Sequence, residues 1–190
     1  MKQNIKNHQV DQEKQYLNNG GESMTTEKTD FQIILERFYD RIENDEKFFN
    51  YYNVNVMEAK QIAHIRSKNY LVEALDYLSS IGKTDVDFSD YNVEIEKINF
   101  KLLPKEIGLV VELMFLIYMK RDESLLHAMK INFTPSDLNV LSPANERTSY
   151  RNFIKELSLN VEEMIDSYRN RDRNTGELKM MINYSSYSEV

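Results

Sequence analysis

Arg147, Arg151 and Lys155 recur at intervals of four, and Thr148, Ser149 and Asn152 fill the polar arc beside them. On a helix, residues four apart lie one above another. The spacing therefore makes a stripe of guanidinium, ammonium, hydroxyl and amide groups. Such groups hold phosphate oxygens and read base edges; on their own they break no bonds. Tyr150, Phe153, Ile154 and Leu157 sit at spacings of three and four and form the face this helix would bury. Further along, Arg169, Arg171 and Arg173 add positive charge, placed for a helix C-terminal end or for phosphates.

Residues able to do bond-making chemistry do not gather in a recognisable pattern. His8, His64 and His127 are scattered, and neither His64 nor His127 has a second histidine three or four residues away. The chain has no cysteine, which excludes disulfides and thiolate metal sites and makes a reducing cytoplasm the default. Paired carboxylates such as Asp45-Glu46 and Glu162-Glu163 fall on charged helix faces. No nucleophile is spaced to a base, and no glycine-rich loop cradles a phosphate. Asp85, Asp87, Ser89 and Glu96 match positions 1, 3, 5 and 12 of a calcium loop. Asp90, however, stands where the sharp turn needs glycine, so an acidic surface loop is the expectation. No cofactor, metal or enzymatic activity is expected.

The elements that would position the cationic stripe can be read from caps and breaks. Thr134 can cap a helix, Pro135 suits its first position and Asp137 complements its dipole. That helix carries Leu138 and Leu141 and stops at Ser142-Pro143. A second helix starts near Asn145. The ordering S-x-x-x-E-R-T-S-Y-R-x-F-I-K-E-L from Ser142 resembles the recognition helix of helix-turn-helix DNA-binding regulators. In that family the second helix enters the major groove. The resemblance covers residues 133–157 and implies a DNA-contacting set of Arg147, Thr148, Ser149, Arg151, Asn152 and Lys155, with Arg169, Arg171 and Arg173 on phosphates. An amphipathic helical pair joined by a proline turn shows the same pattern for packing reasons alone.

Composition bounds these readings. Glycine and proline number 5 and 3 in 190 residues, which favours helices over a turn-rich β fold. The net charge is −7, unevenly spread: residues 30–99 carry 8 Lys/Arg against 14 Asp/Glu, and 100–190 carry 12 against 13. A cationic surface belongs in the second half, and the acidic half suits a protein partner. The longest apolar run, 107–119, contains Glu112 and is too short for a bilayer, which needs about 20 residues; no membrane association is expected.

In chain order, residues 1–29 are polar and aperiodic and are expected to be loose. Gly20-Gly21-Glu22 ahead of Met24 would be encoded like a bacterial ribosome-binding site, so Met24 is an expected start. Asp30 is placed to cap a helix reaching about Tyr51, with Phe31, Leu35, Phe38 and Ile42 as its stripe and the aromatics Phe48, Phe49, Tyr51 and Tyr52 as a core plug. Asn55 and Glu58 form a capping box for a helix that ends at Ile81 on Gly82. Pro104 opens a helix apolar nearly all round, the central strut, expected to end at Lys120–Glu123 and be followed by a separate helical turn over 124–130. Glu112 needs a donor such as Arg, Lys or Tyr if buried, and a solvated edge is the expectation. Asn160 caps a further helix. Over 161–173 a helix competes with a wing strand, and Asn174-Thr175-Gly176 offers a turn before alternating Leu178, Met180, Ile182 and Tyr184, so the winged variant of the family spans 174–184.

The expected fold is mainly α, a helical bundle with a C-terminal helix-turn-helix-like part and room for one small β-hairpin. Three segments are expected: 1–29, an acidic helical hairpin and linker over 30–99, and a helix-turn-helix-like domain over 100–190. The expected function is non-enzymatic regulation of transcription through duplex DNA. Nearly level with it stands an acidic phage-type or mobile-element protein that inhibits or redirects a host protein such as RNA polymerase, a sigma factor or a nuclease. A structural assembly component is the third reading.

Overall fold

A computed structural model describes residues 27–43, 48, 54–132 and 144–179. Among them four helices and a small three-stranded sheet follow in the order β1 (Thr29–Asp30), α1 (Phe31–Arg41), α2 (Val56–Ile81), β2 (Tyr91–Asn92), β3 (Lys97–Ile98), α3 (Pro104–Asn132) and α4 (Ala144–Arg169). The fold is mainly helical, as composition and periodicity indicated.

The helix α3 is the central element. It packs against α1, α2 and α4, and its residues Ile107, Leu109, Val110, Val111, Leu113, Met114, Phe115, Leu116 and Tyr118 are all buried. A helix with apolar side chains all round is stable only when neighbours cover it on several sides. Segments 30–99 and 100–190 therefore share one hydrophobic core, in which Phe31, Ile34, Leu35 and Phe38 of α1 and Tyr70, Leu71, Ala74, Leu75 and Leu78 of α2 meet α3. Phe48 sits at its centre, edge-on to Phe38 and Tyr118. The plug reading fits Phe48; Phe49, Tyr51 and Tyr52 lie outside the described residues, as do the first helix of the expected pair (135–141), Met24 and residues 180–190.

Local chemistry explains most helix ends. Asn55 accepts the Glu58 backbone N–H at 2.9 Å, a capping bond that stabilises α2 by about 1 kcal/mol. At its other end Gly82 has φ 65° and ψ 179°, a region open essentially to glycine, so the stop is a glycine stop without the left-handed ψ expected of it. The start of α1 departs from expectation. Asp30 occupies the cap position but makes no capping bond, because strand pairing brings its carboxylate within 3.3 Å of the Lys97 ammonium. The helix α1 ends at Arg41 instead of near Tyr51; Ile42 leaves helical angles at φ −112° and ψ 13°, and a turn follows at Ile42 and Glu43.

Two further helix boundaries are corrected. The helix expected to stop at Lys120–Glu123 continues to Asn132, since residues 121–132 contain neither Gly nor Pro and Ser124 Oγ bonds back to Lys120 O at 3.0 Å. The helix α4 passes through Asn160 without a break, because Val161 and Ile165 extend the stripe begun by Ile154 and Leu157.

The sheet has β3 in the middle, with Thr29↔Ile98 on one side and Tyr91↔Ile98 on the other, both antiparallel. It draws in residues expected to be loose: Lys28 bonds Asn99 at 3.0 Å, and Thr29 Oγ1 donates to Phe100 O at 3.1 Å while accepting from Leu102 N at 2.8 Å. The β2–β3 hairpin is pinned to α2 by Tyr91, whose hydroxyl donates to Asp76 Oδ1 at 2.6 Å. That bond, then burial, pushes the Tyr91 phenol up to about 12. A raised folded-state value stabilises fully below the unfolded value near 10, and the contribution is lost as pH rises through about 12. We expect tyrosinate absorbance to show one phenol titrating near 12 and Asp76→Ala to return it towards 10; an unchanged titration in Asp76→Ala would show that Asp76 is not the cause.

Candidate functional site

The helix α4 lies antiparallel to α3. Tyr150 OH, near its start, donates to Asp122 Oδ2 at 2.8 Å and lies 3.2 Å from Met119 O; Phe153 meets Phe115; Tyr168, near its end, donates to Glu106 Oε1 at 2.8 Å. Ile154, Leu157, Val161 and Ile165 are buried between the two helices. This leaves Thr148, Ser149, Arg151, Asn152 and Lys155 on the solvent side, where the four-residue spacing put them. Ser149, Asn152 and Lys155 make no side-chain bond among the described residues. The Arg147 side chain lies outside the described residues, as does the Ser142-Pro143 turn.

The solvent side of α4 is not uniformly cationic. Glu156, Glu162, Glu163 and Asp166 share it with Arg151 and Lys155. It is also partly apolar: Phe153, expected to be buried, is 43 % exposed, and Leu159 is 51 % exposed. Phe153 stays out because it lies at the margin of the buried stripe, where it reaches only the edge of Phe115 at 6.4 Å between ring centroids.

The three later arginines have separate fates. Arg169 lies 3.9 Å from Asp166, one turn back on the same helix. Arg171 donates to Gly176 O at 3.0 Å, and its backbone bridges Leu178, so the helix ends at Arg169 and a tight loop follows. In that loop Asp172 accepts from Thr175 N at 2.7 Å, from the Thr175 hydroxyl and from Asn174 N, which hold its carboxyl below the ordinary range. Gly176, at φ 74°, makes the turn expected of Asn174-Thr175-Gly176.

Arg173 turns inward and is not presented to phosphates. Its Nε and Nη2 grip Glu106 Oε1 and Oε2 at 2.7 and 3.0 Å, Nη2 also donates to Lys101 O at 2.5 Å, and its backbone N–H donates to Asp85 Oδ2 at 3.0 Å. Glu106 is 0 % exposed and additionally accepts from Leu103 N at 2.7 Å. The bond to Glu106 raises the Arg173 guanidinium further above its ordinary value, and burial followed by the bond to Glu106 raises the Tyr168 phenol strongly. Among the described residues no buried side-chain polar atom lacks a partner, which is the condition for a buried ion pair to be tolerated. Sequence reading missed Glu106. The signal available was Pro104 at the first helical position with Glu106 two residues on, the acidic half of a capping box whose cap position is filled by Leu103.

The acids of the 85–96 loop are engaged within the protein. Asp85 pairs with Lys179 at 2.6 Å, Asp87 accepts from Ser89 N and Oγ at 2.9 and 2.6 Å, and Glu96 takes Lys68 at 2.9 Å with His64 at 3.4 Å. The Ser89 bonds lower the Asp87 carboxyl, and the Lys68 bond lowers that of Glu96. Of the four calcium-loop donors, Asp87 and Ser89 bond each other while Asp85 and Glu96 face separate partners, and among the described residues no three metal-ligating side chains converge. Glu112 stays partly solvated and takes Arg41 at 3.0 Å; Arg41 in turn stacks 4.3 Å above the Phe115 ring. No described helix is long and apolar enough to cross a membrane.

No family model, curated protein or solved structure matches this chain.

Proposed function

We propose that the chain is a non-enzymatic regulatory protein that acts by binding another protein, with the solvent side of α4 as the working surface. The observation that carries this reading is the mixture on that surface: half-exposed Phe153 and Leu159 among acids and bases of both signs. Protein interfaces combine apolar anchors with a charged rim. A surface for duplex DNA, by contrast, needs cations in excess, since each neutralised phosphate contributes to affinity. With Arg173 held by Glu106 and four acids along α4, that excess is small. The chain's net charge of −7 suits a partner with a basic surface, such as polymerases, sigma factors and nucleases present.

The test is a pull-down with the full chain from a bacterial lysate, compared with a Phe153→Asp/Leu159→Asp variant. A stoichiometric partner held by the wild type and lost from the variant is expected; equal recovery by both removes α4 from the interaction. The second reading, regulation through duplex DNA by Arg147, Thr148, Ser149, Arg151, Asn152 and Lys155, is favoured by the exposure of the last five on one face. It requires retention in a gel shift at low salt that weakens with Arg151→Ala.

A further inference from the structure

We propose that the cleft between α2 and α4 is a docking groove for a short amphipathic helix of the partner, one with acidic residues in its first turn, aliphatic residues along its middle and basic residues in its last turn. The inference rests on the protein-binding reading and names the segment that would be bound. The cleft encloses about 200 Å³, and its apolar floor is formed by Leu113, Leu116 and Ile117 of α3 with Val161 of α4. One wall is Glu73 and Tyr77 of α2; the other is Ser158 and Glu162 of α4. It exists because α4 rests chiefly on α3 and leaves open the position beside α2 that another helix would fill. Tyr77 is 47 % exposed on its wall, with a hydroxyl that makes no bond among the described residues. An apolar floor between two helices is the geometry that accepts aliphatic side chains at i, i+3, i+4 and i+7 of a third helix.

The charges give the occupant its polarity. Glu73 is neutralised by Arg121, next to Lys120. Lys120 and Glu162 make no ion pair among the described residues. The register that sets Tyr150 beside Met119 and Tyr168 beside Glu106 puts Lys120 and Glu162 at opposite ends of the cleft. These ends lie roughly two to three helical turns apart. A bound helix therefore meets a free cation at one end and a free anion at the other. Acids in its first turn and bases in its last satisfy both, and the same distribution stabilises the bound helix through its own dipole. The opposite distribution is unfavourable on both counts.

A fluorescently labelled helical peptide of about fourteen residues tests this: two glutamates in the first turn, leucines at i, i+3, i+4 and i+7, and two lysines in the last turn, against a twin with the charged ends exchanged. By anisotropy with the full chain, the first should bind at least about tenfold tighter than the twin. The Lys120→Glu/Glu162→Lys double variant should reverse the preference, and Ser158→Trp, which fills the cleft from a partly exposed position, should remove binding while the helical circular dichroism and its melt stay unchanged. Equal affinity for both peptides, or no binding of either at about 1 mM, overturns the proposal. Self-association that Ser158→Trp abolishes would instead assign the cleft to a second copy of the chain and overturn it as well. If Ser158→Trp still captures the lysate partner in full, the protein-binding reading stands and the groove falls.

Discussion

Replacing Arg173 with methionine is expected to lower the stability of the fold by about 3–5 kcal/mol, because it strands the Glu106 carboxylate in an apolar setting. Domains of this kind are stable by only about 5–15 kcal/mol in total, so the loss is a large fraction of what holds the molecule together. Tyr168 and the Leu103 amide would remain on Glu106, but neither carries charge, and the guanidinium's bonds to Lys101 O and to both carboxylate oxygens would be gone. The measurement is the urea midpoint at unchanged slope. Adding Glu106→Leu to Arg173→Met should recover part of the loss, as removal of both members of a buried pair is milder than removal of one. A midpoint that stays in place would show that water substitutes for Arg173 and that the ion pair does not fasten the 170–179 loop.

Phe48→Ala should cost a similar amount, about 3–5 kcal/mol, for a different reason. Phe48 is 1 % exposed and lies 5.9 Å from the Phe38 ring, 5.4 Å from Tyr118 and 6.4 Å from Tyr70, between ring centroids. Truncation opens a cavity that three large, mutually braced rings cannot refill, and it removes contacts each worth about 0.5–1.5 kcal/mol beyond burial. The Arg66 guanidinium, 5.1 Å from the same ring centroid, loses its seat as well. Chemical denaturation checks this; a cost under about 1 kcal/mol would mean that the site collapses around the missing ring.

What could be read from the sequence was local. Asn55 caps because Glu58 lies three residues on, Gly82 stops a helix because few other residues reach its angles, and α3 is central because its apolar residues leave no solvent face. The errors arose where contacts distant in sequence outweighed a local signal. Asn160 and the Lys120–Glu123 run look like ends, but a polar residue facing water does not interrupt a helix whose opposite stripe remains buried. Asp30 looks like a cap, but strand pairing with Lys97 outweighs a local bond. Of the candidate site, the outward placement of Thr148, Ser149, Arg151, Asn152 and Lys155 was legible from spacing. The inward turn of Arg173 was not, since its partner lies 67 residues earlier and no local pattern links two such positions.

The small sheet bears on how the chain is made. Thr29 finds its partners at Phe100 and Leu102, 71 and 73 residues later. At ordinary translation rates that interval lasts roughly 4–14 s. Throughout it Phe31, Ile34, Leu35 and Phe38 have been synthesised and α3, which covers them, has not. Through that interval the apolar stripe of α1 has only α2 to pack against, and the core closes once α3 has followed.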